Sequence, residues 1–325
     1  MINLFRRLNP INVLVLVIVA IILRLGILLN PPQHLGFSAL ETHASVLFDL
    51  STENFFSVQG NLLVALVITL IQAILFNRVV TNHNLLGKPS FLPALMYITG
   101  SGLLVHFLVL TPALLCNFLM IWMLDKFLSV HRKASAQASM FDLGTIIALG
   151  TLIYLPFIGM MMLLWICLII FRPFNWREWI AGIIGFLTIY FFIAVAYYWT
   201  DSFDDFRDLQ MPLVIEFKRF KINIYNYLVV IPLLLIMFLS VISLQQKFYR
   251  SNVHVRKSYL LLFFILVFSF LSFFITSRYQ IYHFLLAVPA ASVFMGYYFT
   301  YAAKRWFYES LYLILAGFII YFQWA

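Results

Sequence analysis

The sequence predicts an all-α polytopic membrane protein of about eleven transmembrane helices, and three observations predict it. Residues of the set AVILMFWYC fill 64% of the 325 positions while charged residues fill 10%, a balance well beyond that of water-soluble domains. The apolar stretches are continuous rather than alternating, which is the pattern of helices and not of a membrane barrel. Backbone groups in hydrocarbon must also be paired within their own segment, and a helix does this.

The first apolar run, 11–29, follows Arg6 and Arg7, contains Arg24 and ends at Asn30-Pro31-Pro32 with no small-residue cleavage site. It reads as a retained span rather than a removed leader. Further runs lie near 59–77, 91–107, 110–125, 141–156, 158–171, 180–199, 226–245, 259–276, 284–302 and 308–324. Within 91–125 and 141–171 the alternative is a pair of short hairpins, turning at Pro112 and at Pro156 with Gly159. No repeat, low-complexity linker or domain boundary interrupts the chain, so residues 1–325 form one transmembrane domain without a soluble one.

Lys and Arg in short loops set the orientation. A cytoplasmic N-terminus puts fifteen basic residues inside and five outside, with Arg24 within a span, out of 21 in all. Eight of the twelve acids then fall outside, in two polar loops, 30–58 and 200–223. Trp176, Trp179, Trp199, Trp306 and Trp324 stand near span ends, where amphipathic rings anchor. The net charge of +9 is spread over loop ends rather than gathered in one patch, so it marks topology and not nucleic-acid binding. Cys116 and Cys167 each lie inside an apolar run and point to no disulfide.

Two constellations bear on chemistry. Arg24 is an expensive residue within a span, and Glu41, in the first outer loop, is its nearest acid in sequence. The apolar spacing of Leu40, Ala44, Leu47 and Leu50 predicts a surface helix with Glu41 at its polar edge. Outward snorkelling of Arg24 is the competing reading. Next, Arg278, Tyr279 and His283 precede the apolar run that begins at Phe284, where a helix start would offer unpaired N–H groups and a guanidinium to a phosphate. The competing reading there is an interfacial aromatic belt.

Asp201, Asp204, Asp205 and Asp208 match no EF-hand spacing and read as a solvated loop. His34, His43, His106 and His283 show no helical metal-site spacing. Phosphate-loop, nucleophile-elbow and dinucleotide motifs are absent from the sequence.

The layout resembles the C-type membrane glycosyltransferases, multi-spanning enzymes that use polyprenyl-phosphate-linked sugars. The likeness rests on Ile21-Ile22-Leu23-Arg24-Leu25, then Glu41-Thr42-His43-Ala44, then Gly60-Asn61-Leu62-Leu63, and later on Arg278-Tyr279, Tyr282-His283 and Pro289. It implies a C-type glycosyltransferase-like helical bundle in a bacterial inner membrane, with membrane lipid and a polyprenyl-phosphate sugar as partners. It also implies Glu41 as general base and Arg24, Arg278, Tyr279 and His283 around the lipid phosphate. Two departures stand out: the usual acid pair is reduced to Glu41 after Leu40, and no large periplasmic domain follows the spans. For a divalent cation, an open option, one acid is a poor ligand set. Two other functions remain: a non-catalytic scaffold or accessory subunit with membrane-protein partners, and a transporter, which would call for deep charges that are scarce here.

Overall fold

The computed structural model of the chain describes residues 1–31, 57–133, 135–199, 201, 227–248, 252–275 and 280–324. Among these residues there are thirteen α-helices and no strand. They are α1 (Ile2–Phe5), α2 (Ile11–Ile22), α3 (Leu25–Leu29), α4 (Val58–Asn82), α5 (Leu92–Ser101), α6 (Pro112–Ser129) and α7 (Gln137–Ile153). There follow α8 (Met161–Phe171), α9 (Trp176–Trp199), α10 (Val230–Phe248), α11 (Val253–Leu271), α12 (Val288–Tyr301) and α13 (Arg305–Trp324). Tight 3-10 turns precede or extend several of them, notably Val105–Phe107, Leu155–Met160, Ser272–Ile275 and Ile281–Ala287.

Each of the eleven apolar runs carries helix, and six helical segments are long and apolar enough to cross a membrane. Those six are α4, α6, α9, α11 with its extension to Ile275, α12 with the turn from Ile281, and α13. Prolines mark the joints that the sequence singled out. Pro112 opens α6, where the Thr111 hydroxyl accepts the Leu114 N–H at 3.3 Å. Pro156 lies in the turn that leads into α8.

The centre of the molecule is α5. All ten of its residues are buried, and it packs against α12 and α4. At ~1.5 Å per residue, ten residues reach about 15 Å, half of the ~30 Å hydrocarbon core. The chain continues as irregular backbone to Thr111, with Leu103 and Phe107 to Leu110 buried. Such backbone is tolerated at membrane depth only where protein groups satisfy it. That need decides where several polar side chains lie.

One end of the molecule gathers basic groups and their partners. Arg6 donates to the Phe299 and Ala302 carbonyls at 2.9 and 2.7 Å and lies over the Tyr308 ring. Lys126 pairs with Asp142 at 2.6 Å, and Arg172 with the buried Glu178 at 3.1 Å. Met1 pairs through its amino group with Glu309 at 2.6 Å. These contacts join the ends of α6, α8 and α12 to the starts of α7, α9 and α13, as a chain that reverses direction between successive helices requires.

Two helix pairs show opposite packing. Along α7 and α9 the backbones touch: a side chain at Gly144 would run into the Gly182 carbonyl oxygen, and one at Gly185 into that of Phe141. By contrast α10 packs on α12 and α13 rather than along α11.

Candidate functional site

Inside α4, polar residues recur on the buried face of an otherwise apolar helix: Asn61, Thr69, Gln72 and Asn77. Each answers an unpaired group on a neighbouring element. The Asn61 Oδ1 accepts the Leu110 N–H at 2.9 Å, so it caps the irregular stretch after α5. Gln72 donates to the Leu114 carbonyl at 2.7 Å and accepts the Tyr97 hydroxyl at 2.9 Å, linking α4, α5 and α6. Asn77 accepts the Ala94 N–H at the start of α5. Further on, Asn117 of α6 donates to the Leu285 carbonyl at 3.1 Å, in the turn before α12.

Arg24 enters this lattice from the first run. It interrupts the run between α2 and α3 and is 3% exposed. Its guanidinium donates to the Thr69 hydroxyl at 2.7 Å and, over a long 3.4 Å, to the Leu108 carbonyl. Thr69 in turn donates its hydroxyl hydrogen bond to the Ala65 carbonyl at 2.7 Å. Among the described residues Arg24 has no carboxylate partner. Arg24 therefore points inward to protein groups, not outward along its stem to the surface.

His283 is equally buried, at 1% exposure. Its Nε2 lies 2.8 Å from the Ser269 carbonyl, which can only accept, so Nε2 carries the proton. The Nδ1 is then the acceptor for the Tyr154 hydroxyl at 2.9 Å. Both ring nitrogens are engaged, and Ser272 lies 3.1 Å from Nε2. Through these bonds His283 ties the end of α7 and the end of α11 to the turn that opens α12. The two polar clusters, around Arg24 and around His283, form on different elements: the first on α4 and the first run, the second on the ends of α7 and α11 and the turn before α12.

Beside His283 stand three phenylalanines, with Phe284 centred 5.0 Å from Phe273 and 5.4 Å from Phe270. They form one wall of an apolar cleft of about 670 Å³ between α10 and α11. Its floor is the far end of α5, with Gly100, Leu103 and Phe107, and the α12 residues Val288, Ala291 and Met295. Its described rim is formed by Tyr227 and Ile281. In sequence, Tyr227 follows the polar segment 200–223, and Arg278 and Tyr279 stand three and two positions before Ile281.

The chain matches one family model over residues 34–325, a family of unknown function, DUF6427. The chain belongs to that family. The match begins after Arg24 and takes in every element that lines the cleft. No curated protein and no solved structure matches the chain.

Of the residues singled out in the sequence, Arg24 and His283 are thus placed in separate interior clusters. Glu41, Arg278 and Tyr279 lie outside the described residues, as do His34, His43 and Asp204 to Asp208. Among the described residues no three His, Cys, Asp or Glu side chains gather as metal ligands. Cys116 and Cys167 are buried and form no disulfide. The residues that sequence reasoning missed are Thr69, Gln72, Tyr97, Asn117 and Tyr154. The stripe on α4 was detectable, since three of its four polar residues lie at i, i+8 and i+11, on one helical face within an apolar run.

Proposed function

We propose that this chain transfers a sugar from a polyprenyl-phosphate carrier at the outer face of a bacterial inner membrane. The observation that carries the reading is the apolar cleft, whose described rim adjoins in sequence the Arg278-Tyr279 pair and, before Tyr227, the polar segment 200–223 with Lys218, Arg219 and Lys221 at its near end. A lipid-linked donor needs an apolar space for its chain and polar groups where that chain ends.

In this reading the chain crosses the membrane eleven times. To the six long segments it adds α2 with α3, α5 with its continuation, α7, the turn at 155–160 with α8, and α10. The end that holds Arg6, Lys126 and Arg172 faces the cytoplasm, as basic loops do. The rim of the cleft then faces outward.

The Glu41 carboxylate removes the proton of an acceptor hydroxyl. The freed oxygen attacks the anomeric carbon, the bond from that carbon to the phosphate oxygen breaks, and the polyprenyl phosphate departs with the electron pair. Inversion at the sugar carbon follows. Arg278 and Tyr279 stabilise charge on the departing phosphate, where fixed donors give most rate. Arg24 supports the acid or the phosphate from within, and His283 holds the aromatic wall of the cleft in place.

Cells that lack the chain and carry Glu41→Gln or Arg278→Ala in its place are expected to lose its phenotype and the sugar-transfer product, with normal protein level in the membrane fraction. A scaffold or accessory subunit would tolerate both substitutions, and retention of the phenotype by both variants overturns the enzyme.

A further inference from the structure

From the shape of the cleft, we infer that it takes a single lipid hydrocarbon chain, which enters sideways from one leaflet between α10 and α11. The inference deepens the lipid-linked reading above and rests on it for the chemistry of the head group, though not for the presence of the chain.

Three features of the cleft carry it. First, the void opens toward lipid. Leu234 of α10 and Phe270 of α11 both line it, yet they are 60% and 53% exposed, while Ile236 one position past the neighbouring residue of α10 is fully buried. The faces of α10 and α11 beyond the cleft are apolar as well, with Ile231, Phe238, Phe263 and Leu271 each more than half exposed. A slot between two lipid-facing helices, lined by Leu, Val, Met and Phe, is continuous with the bilayer and not with water.

Second, the slot is limited in depth. Its lining runs from Tyr227 to Met237 along one wall and from Ile281 to Met295 along the other. At ~1.5 Å per residue in α-helix and ~2 Å in the 3-10 turn, this is roughly 15 Å along the first wall and roughly 24 Å along the second. The hydrocarbon core is ~30 Å thick, so the slot starts at the end opposite Arg6 and Lys126, reaches about the middle of the core or somewhat beyond, and stops short of the other side. Met237, Leu266 and Met295 close it below.

Third, the lining leaves a bound chain nothing polar to hold it except near the rim, where Tyr227 stands. An apolar void far smaller than this one, ~150 Å³, already takes up an apolar guest. Here the surrounding solvent is itself made of hydrocarbon chains, and the void lies open to them. The occupant is the tail of a lipid whose head lies at the rim, and two sources share that chemistry: an isoprenoid phosphate and a phospholipid.

The test reconstitutes the full chain in phospholipid nanodiscs with either of two photoactivatable probes, a polyprenyl phosphate or a phospholipid, each with a diazirine in its tail. Labelled peptides are mapped by mass spectrometry. At least one probe is expected to label peptides 230–237 and 266–273 saturably, about tenfold above peptide 187–195 of α9, whose side chains face bulk lipid. Ala291→Phe, which fills the slot from its floor, is expected to lower that labelling about tenfold, while Leu313→Phe on the exposed face of α13 leaves it unchanged.

Saturable, Ala291-sensitive labelling by the isoprenoid supports both the slot and the transfer reading. The same result with the phospholipid alone supports the slot and removes the donor proposed above. Labelling no stronger than on α9 with both probes, or insensitive to Ala291→Phe, overturns the inference.

Discussion

The α7–α9 seam and the α10–α11 cleft solve the same problem in opposite ways. Lipid tails are as apolar as leucine, so the hydrophobic effect does not drive helices together within a bilayer. They stay together where small residues let backbones approach and dispersion contacts accumulate. Gly144, Gly182 and Gly185 supply that approach, and α7 and α9 touch at their carbonyls. Between α10 and α11, facing Leu233, Leu234, Leu266 and Phe270 cannot close in the same way, and a void of about 670 Å³ remains. Tightness and openness in this protein are matters of side-chain size at two interfaces. The tight one gives a frame, and the open one gives room for a guest.

The comparison breaks first at the seam. Gly185→Leu puts a branched side chain where the Phe141 carbonyl already stands. Overpacking against backbone has no flexible neighbour to yield, so a cost of about 3 kcal/mol or more is expected. The readout is loss of monodisperse protein after detergent extraction.

A matched pair sharpens the contrast. Leu143 beside the seam is fully buried, whereas Leu234 lines the cleft at 60% exposure. Leu143→Ala is expected to cost about 2 kcal/mol, the low end of the usual range because lipid replaces water as the reference. Leu234→Ala is expected to cost less than about 0.5 kcal/mol, since it removes atoms that have few partners to lose. Thermal midpoints of the two proteins in one detergent measure the difference.

The wall of the cleft comes next. His283→Phe removes the bonds that the histidine makes with the Tyr154 hydroxyl and the Ser269 carbonyl, and a loss of about 1–2 kcal/mol is expected. Tyr154→Phe removes one partner of His283 and is expected to cost about 1 kcal/mol. Equal midpoints for wild type and His283→Phe would detach the histidine from the wall.

A small change in stability is also expected at Arg24. In Arg24→Met an apolar chain replaces a buried cation; the 2.7 Å bond to Thr69 and the long contact to Leu108 are lost, while Thr69 keeps its own bond to Ala65. Removal of a buried charge relieves desolvation, so the midpoint is expected to shift by less than about 1 kcal/mol in either direction. Loss of function at unchanged stability would mark the guanidinium as part of the working end. A collapse of the fold would make it a structural brace of the irregular stretch after α5.

Helicity, the positions of the apolar runs and the asymmetry of basic loops were legible in the sequence, because the bilayer imposes them locally. Each residue in hydrocarbon must pair its own backbone within a few positions, and each loop carries its own charge. The joints at Pro112 and Pro156 were legible for the same reason, since proline constrains its immediate neighbours.

What only the tertiary structure decided is who meets whom. Arg24 and Thr69 are 45 positions apart, and Tyr154 and His283 are 129 apart. Their pairing follows from how whole helices stack, which no local spacing encodes. The cleft is the clearest case: its lining residues look in sequence like any others that face lipid. They line one cleft because α10 packs on α12 and α13 rather than along α11.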